Sequence, residues 1–221
     1  MLLFQEKLQV YLLDKSEVYF YFIFLFMSKR LIYSLRIKNA IRFSIKTHEV
    51  YQKQKRKGKD IAYVTHPLTA GIILAMAGAK EDLVIAGILH DTIEDSIEEK
   101  KVDKQMITAR FGKKVAKIVE SVSEDNKMLS WEERKEKARK NIKKFNHDSL
   151  LVKSADVLSN VTELIDDYIV CGDSAFSRFG GPKERVIANY LEVMKIMLEK
   201  WPKSPLAKDL KNLSIEFRKI K

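Results

Sequence analysis

The sequence predicts an all-α fold. Its 221 residues hold only 8 Gly and 4 Pro, too few for a domain rich in strands and tight turns. From about residue 31 onward, apolar residues recur at helical spacing. Residues suited to helix starts and stops stand where those patterns begin and end. In order, Ile32, Leu35, Ile37, Ala40, Ile41, Phe43, Ile45 and His48 make a first helical face. Gln52 to Asp60, with five basic residues and Gly58, reads as a loop. Thr65 as cap and Pro67 in the first turn open a helix. It is expected to bury Leu68, Ile72, Ile73 and Met76 and to end near Gly78. Glu81 and Asp82 suit the next N-terminus. The run Leu83 to Leu89 behind them is apolar on most sides, the mark of a buried helix. Residues 103–122 read as one amphipathic helix through Ile107, Phe111, Val115, Ile118, Val119 and Val122. The span 132–144 reads as a solvated, ion-paired helix. Asp148 would cap a helix with the stripe Leu151, Ala155, Leu158, Thr162 and Ile165. After Phe179-Gly180-Gly181-Pro182 comes a last long helix around residues 183–200. Pro202 and Pro205 stop it, and a short basic tail helix follows.

Composition narrows the class further. At 46% hydrophobic and 32% charged residues the chain is neither disordered nor fibrous. One cysteine, Cys171, excludes a disulfide framework and a multi-cysteine zinc site, and it reads as a cytoplasmic, reducing setting. The net charge of +11 fits an anionic partner such as a nucleotide, nucleic acid or an anionic surface; a lysine-rich proteome gives the same charge with no such ligand. Residues 18–27 form an aromatic, apolar run about half the ~20 residues that span a bilayer, so no transmembrane segment is expected. Residues 1–26 read as an N-terminal extension with no assigned role: a membrane-surface anchor, a packing extension or, the favoured reading, a segment upstream of a start at Met27-Ser28-Lys29-Arg30. Residues 27–221 are then a single domain.

The chemistry concentrates at three places. His66 stands at a helix start. His90-Asp91-Thr92-Ile93-Glu94-Asp95 ends the most apolar helix with four ionisable groups in six residues, costly to bury unless paired or metal-bound. On a continuous helix, spacings of three and four would turn all four toward one pocket. Asp156 and Asn160, four apart, interrupt an otherwise apolar helix; a Lys153–Asp156 helical pair is the plainer reading of that aspartate. Two imidazoles with two carboxylates suit manganese, iron or zinc. A metal so held acidifies water and neutralises phosphoryl charge, and Glu94 and Asp95 stand close enough to act on that water.

The order His66, His90-Asp91, Asp156 resembles the HD-type metal-dependent phosphohydrolases. The narrower pattern is similar to the hydrolase domain of RelA/SpoT-type stringent-response enzymes and to the stand-alone small alarmone hydrolases. The strings that carry it are Arg56-Lys57-Gly58, Tyr63-Val64-Thr65-His66-Pro67, Leu89-His90-Asp91-Thr92-Ile93-Glu94-Asp95, Phe111-Gly112 with Val115, and Val152 to Asn160, within about residues 38–200. The cyclic-dinucleotide branch is disfavoured because its Gly-Tyr-Pro tripeptide is absent. The resemblance implies an HD-domain helical bundle in which His66, His90, Asp91 and Asp156 bind one Mn2+ or another divalent ion. It implies that Glu94 and Asp95 act on the attacking water, and that Arg56, Lys57, Tyr63 and Asn160 bind a nucleotide. The reaction implied is removal of the 3′-pyrophosphate of ppGpp or pppGpp. Three departures stand out: Ala62 for a usual proline, Ser154 for a usual leucine, and a longer basic stretch before Gly58. His48, at a shifted offset from Arg56, reads as a core or supporting residue, and His147 as exposed. Two alternatives stay open: the same chemistry on another nucleotide, or an inactive module binding nucleotide or nucleic acid. One site spread from His66 to Asp156 favours one domain. The sequence sets no oligomeric state.

Overall fold

The side chain of Ser34 accepts from the Ile37 N–H and opens the first helix, α1 (Leu35–Ile45), which passes into a π-helical turn at Lys46–Val50. The computed structural model describes residues 33–124 and 128–220; the reading of residues 1–26 concerns residues outside these. From Tyr33 onward the chain is one compact unit. The buried face of α1 and its turn is Ile37, Ala40, Ser44, Thr47 and His48, whereas Leu35, expected inside, is 69% exposed. The loop that follows doubles back through a bridge between Lys55 and Ala62; among the described residues there is no named strand.

Two helices then cross closely, and here the expected apolar stripe is overturned. In α2 (Thr65–Met76) the residues that face inward are His66, Pro67, Ala70, Gly71 and Leu74. Ile72 and Met76 are 59% and 83% exposed. The cause is the neighbour, α3 (Glu81–Leu89), whose residues Leu83 to Leu89 are all buried, as the sequence predicts. A Cβ on Gly71 would lie 2.5 Å from Ile88 Cγ1, and one on Gly87 2.4 Å from Leu74 Cδ1. The small side of α2 is therefore its contact face. Thr65 is also inside the helix rather than its cap, its Oγ1 donating to the Ala62 carbonyl. Glu81 and Asp82 start α3 and pair with Arg36 of α1.

After α3 the chain turns at His90-Asp91 into the single-turn α4 (Thr92–Asp95) and a 3-10 turn at Glu98–Lys100. The helix predicted over 103–122 is two: α5 (Lys104–Phe111), capped by Asp103, and α6 (Lys113–Val122). Gly112 at φ +96° breaks it, a conformation closed to ordinary side chains. α7 (Trp131–Ile142) opens with a capping box of Ser130 and Glu133 and buries only Ile142, in keeping with a solvated helix. The central helix is α8 (His147–Cys171), which packs against α2, α3, α6 and the two helices after it. Asn146, not Asp148, caps it. Its middle is buried nearly all round, from Ser149 to Ser159, while Thr162 is exposed instead of belonging to a stripe. A 3-10 turn (Gly172–Phe176) and the glycine-proline connection lead to α9 (Lys183–Lys200) and, past Pro202 and Pro205, to α10 (Ala207–Phe217). No described helix is long and apolar enough to cross a membrane. Cys171 is free and exposed.

Candidate metal centre and cleft

α2, α3 and α8 meet at their polar exceptions. The Nδ1 of His90 lies 2.8 Å from the Gly87 carbonyl; a carbonyl only accepts, so Nδ1 carries the proton. Its buried Nε2 has no hydrogen-bond partner among the described residues. That atom is 3.1 Å from Asp91 Oδ2 and 3.7 Å from Asp156 Oδ1. The Nδ1 of His66 meets Ser159 Oγ at 2.9 Å, and its Nε2 is 3.1 Å from Asp156 Oδ1 and 3.6 Å from Asp91 Oδ2. One ligand atom each from His66, His90 and Asp156 lie within 4.8 Å of one another, and all three side chains are buried. Imidazole lone pairs facing carboxylate oxygens repel unless a cation or proton lies among them. The donor set therefore fits a divalent metal, with both imidazoles oriented from behind through Nδ1. Asp91 sits on the same spot and also accepts from Tyr63 OH at 2.6 Å.

Asp156 divides its oxygens. Oδ1 faces the imidazoles and accepts from Asn160 Nδ2 at 2.6 Å, while Oδ2 pairs with Lys153 Nζ at 2.8 Å. The Lys153 pair and the imidazole contacts coexist on one carboxylate. Burial alone would raise its pKa, but Lys153 and the two histidines outweigh that and hold it well below the usual range.

Glu94 and Asp95 part company. Glu94 lines the cleft beside Asp91, its Oε2 accepting from the Glu124 N–H at 2.9 Å. Burial and then the neighbouring Asp91 push its pKa up to about 7. Asp95 turns to the other side, accepting from Gln54 Nε2 at 3.1 Å. Gln54 Oε1 in turn meets Nδ1 of His48 at 2.9 Å; His48 is fully buried, its ring 5.1 Å from that of Tyr63. A single shared face would need an unbroken helix. The helix instead stops at Leu89 and a new turn starts at Thr92, so Asp95 faces Gln54 and does not line the cleft.

The cleft itself has a volume of about 500 Å³. Arg56, Lys57, Tyr63 and Asn160 line it with His66, Asp91 and Asp156. Arg56 is held by Glu163, at 3.0 Å from Nε and 2.5 Å from Nη2, and its Nη2 donates to Asn160 Oδ1 at 2.9 Å. Lys59 joins Glu163 (2.7 Å) to Asp167 (2.5 Å), which also pairs with Arg178. His147 is exposed, as expected, and stacks on Trp201 with centroids 4.1 Å apart.

Residues not singled out for the site from sequence include Lys153, Ser159 and Glu163 on α8, and Trp131, Arg134 and Lys135 on α7. A signal existed for α8. Lys153, Asp156, Asn160, Glu163 and Asp167 recur at intervals of three and four, a polar face on a helix otherwise buried. The α7 cations look like any solvated helix until the fold brings them to the rim.

Comparison with known proteins agrees with this geometry. An HD-domain family model matches residues 40–167. A guanosine-3′,5′-bis(diphosphate) 3′-pyrophosphohydrolase of Aquifex aeolicus is 36% identical over 130 residues, 58% of this chain but 18% of that protein. The Xenopus tropicalis protein of the same activity name, MESH1, is 32% identical over 130 residues, 58% of this chain and 69% of its own length. The chain thus spans under a fifth of the Aquifex protein and about two thirds of the Xenopus one. Among solved structures, lmo0812 of Listeria monocytogenes EGD-e superposes at TM-score 0.62 with 31% identity, covering 70% of this chain and 97% of its own. A metazoan ortholog of SpoT superposes at 0.64 with 20% identity, covering 86% and 96%, and so shares the fold. A matched model over more than half the residues, laid on three helices whose histidines and aspartates converge, makes this chain a member of the HD-domain family.

Proposed function

We propose that the protein is a manganese-dependent, cytoplasmic hydrolase that removes the 3′-pyrophosphate of ppGpp and pppGpp, leaving GDP or GTP. The observation that carries the reading is the facing of two imidazole Nε2 atoms and two carboxylates on the floor of a cleft whose rim bears Lys57, Arg134 and Lys135. The names of the Aquifex and Xenopus relatives point to the same reaction. His66, His90, Asp91 and Asp156 would hold the ion. When bound, it would neutralise charge on the phosphoryl oxygen and lower the pKa of water. Glu94 takes the proton of the water that attacks the phosphorus on the 3′-oxygen; a carboxylate whose pKa is near 7 in the metal-free site is matched to that task. Water adds to phosphorus, the bond to the 3′-oxygen breaks, and that oxygen takes a proton to become the free hydroxyl. Asp95 supports Glu94's turn through Gln54 and His48. Asn160, Tyr63, Arg56 and Lys57 position the nucleotide, Arg56 through Nη1, which the bonds to Glu163 and Asn160 leave unused.

The test is pyrophosphate release from ppGpp with Mn2+, with EDTA, and with His90→Ala or Asp156→Ala. Release that needs metal and is lost in both variants is the expected result. Inactivity on ppGpp with turnover of other nucleotides would redirect the substrate assignment.

A further inference from the structure

We propose that Glu163 is a positioning residue for the metal centre, acting through Arg56 on the side-chain amide of Asn160. The proposal rests on the reading that His66, His90, Asp91 and Asp156 hold a divalent cation. An asparagine amide has two ends of similar shape and opposite character, so its orientation is set by its neighbours. A guanidinium can only donate. Arg56 Nη2, 2.9 Å away, therefore fixes Oδ1 of Asn160 toward itself and leaves Nδ2 aimed at Asp156. Nδ2 meets Asp156 Oδ1 at 2.6 Å, the same oxygen that faces both imidazoles. Because Oδ2 is tethered to Lys153, the bond from Asn160 sets the remaining rotation of the ligand carboxylate.

Arg56 is placed by Glu163 in turn, through Nε and Nη2 together, in a pair whose side chains are only 13% and 26% exposed. Lys59 holds the other oxygen of Glu163, at 2.7 Å, so the carboxylate is anchored on a second side. Without its charge, Arg56 is drawn toward Asp91 and Asp156 in the cleft, and Asn160 is free to turn over. Partners one step behind metal ligands typically change metal affinity 10–100-fold.

The experiment is calorimetric titration of the metal-free full chain with Mn2+, with no substrate present. Asn160→Ala is expected to weaken binding about 10-fold, and Glu163→Gln, which reaches that amide only through Arg56, several-fold but by no more than Asn160→Ala. The double variant is expected to bind no more weakly than Asn160→Ala alone, because the effect passes through that amide. Lys59→Met removes that second anchor but leaves both Arg56 contacts on Glu163 in place, so it should weaken binding less than Glu163→Gln does, and an equal or larger loss would overturn the proposal. Losses that add in the double variant would show Glu163 acting through its charge alone and overturn the proposal, as would unchanged affinity in Glu163→Gln. A wild-type chain that takes up no Mn2+ would overturn the metal reading itself and this proposal with it, an outcome distinct from additivity.

Discussion

The site has two halves built on opposite terms. On α8, the site's three acidic and amide groups each have a matched partner: Lys153 for Asp156, Arg56 and Lys59 for Glu163, Arg56 and Asp156 for Asn160. At the turn from His90 to Asp95, the carboxylates crowd one another with no lysine or arginine of the described residues among their hydrogen-bond partners. Asp91 is held by Tyr63 and the imidazoles, and Glu94 by one backbone N–H. Charge compensated in place makes the helical half a scaffold. Charge left crowded makes the turn the half that responds to a metal ion or a proton.

The largest effect that separates the halves is on stability. Asp156→Ala takes from the largely buried Lys153 its nearer partner, at 2.8 Å, leaving only Glu124 at 3.8 Å, and should cost ~3 kcal/mol in urea unfolding of metal-free protein. Asp91→Ala should cost less than half of that, although both variants lose metal binding. Equal costs would erase the distinction. Next, Glu94→Gln should keep the fold and Mn2+ affinity within a few-fold, yet lower kcat by ~10²–10⁴ in a steady-state assay of pyrophosphate release. The smallest effect is on acid stability. Arg56 and Lys59 outweigh burial and bring the Glu163 pKa down to about 2, below the usual 4.5. A carboxylate with a depressed folded pKa stabilises the fold above its unfolded value. The contribution is therefore present above pH about 4.5 and lost as pH falls toward about 2. Allowing for solvent screening, it amounts to ~1 kcal/mol. Unfolding curves of Glu163→Gln should be flatter by that amount across this acid window.

The helical class, the buried α3 and the four convergent groups His66, His90, Asp91 and Asp156 were legible because polar residues stand out in apolar helices. The contact face of α2 was not, since Ile72 and Met76 outweigh Ala70 and Gly71 in any hydrophobic pattern while close packing selects the small residues. The break at Gly112 is one residue whose backbone angle overrides a continuous apolar stripe. Asp95 does not line the cleft because the helix is interrupted at His90-Asp91, where an unbroken helix would turn it inward. Glu163 looked like an ordinary helix-surface acid because its partners, Arg56 and Lys59, are more than a hundred residues away in the chain.

The glycine crossing of α2 and α3 reaches beyond packing. His66 lies five residues before Gly71 and His90 three after Gly87, so the approach of the two backbones works as a calliper on the imidazoles, whose ring centroids are 5.0 Å apart. A methyl group at Gly71 would meet Ile88 at its inner Cγ1 and open the calliper, whereas one at Gly87 would meet only the movable end of Leu74. With an ion held as proposed, its selection would depend partly on a residue that carries no donor atom, and Gly71→Ala should favour larger ions over smaller ones.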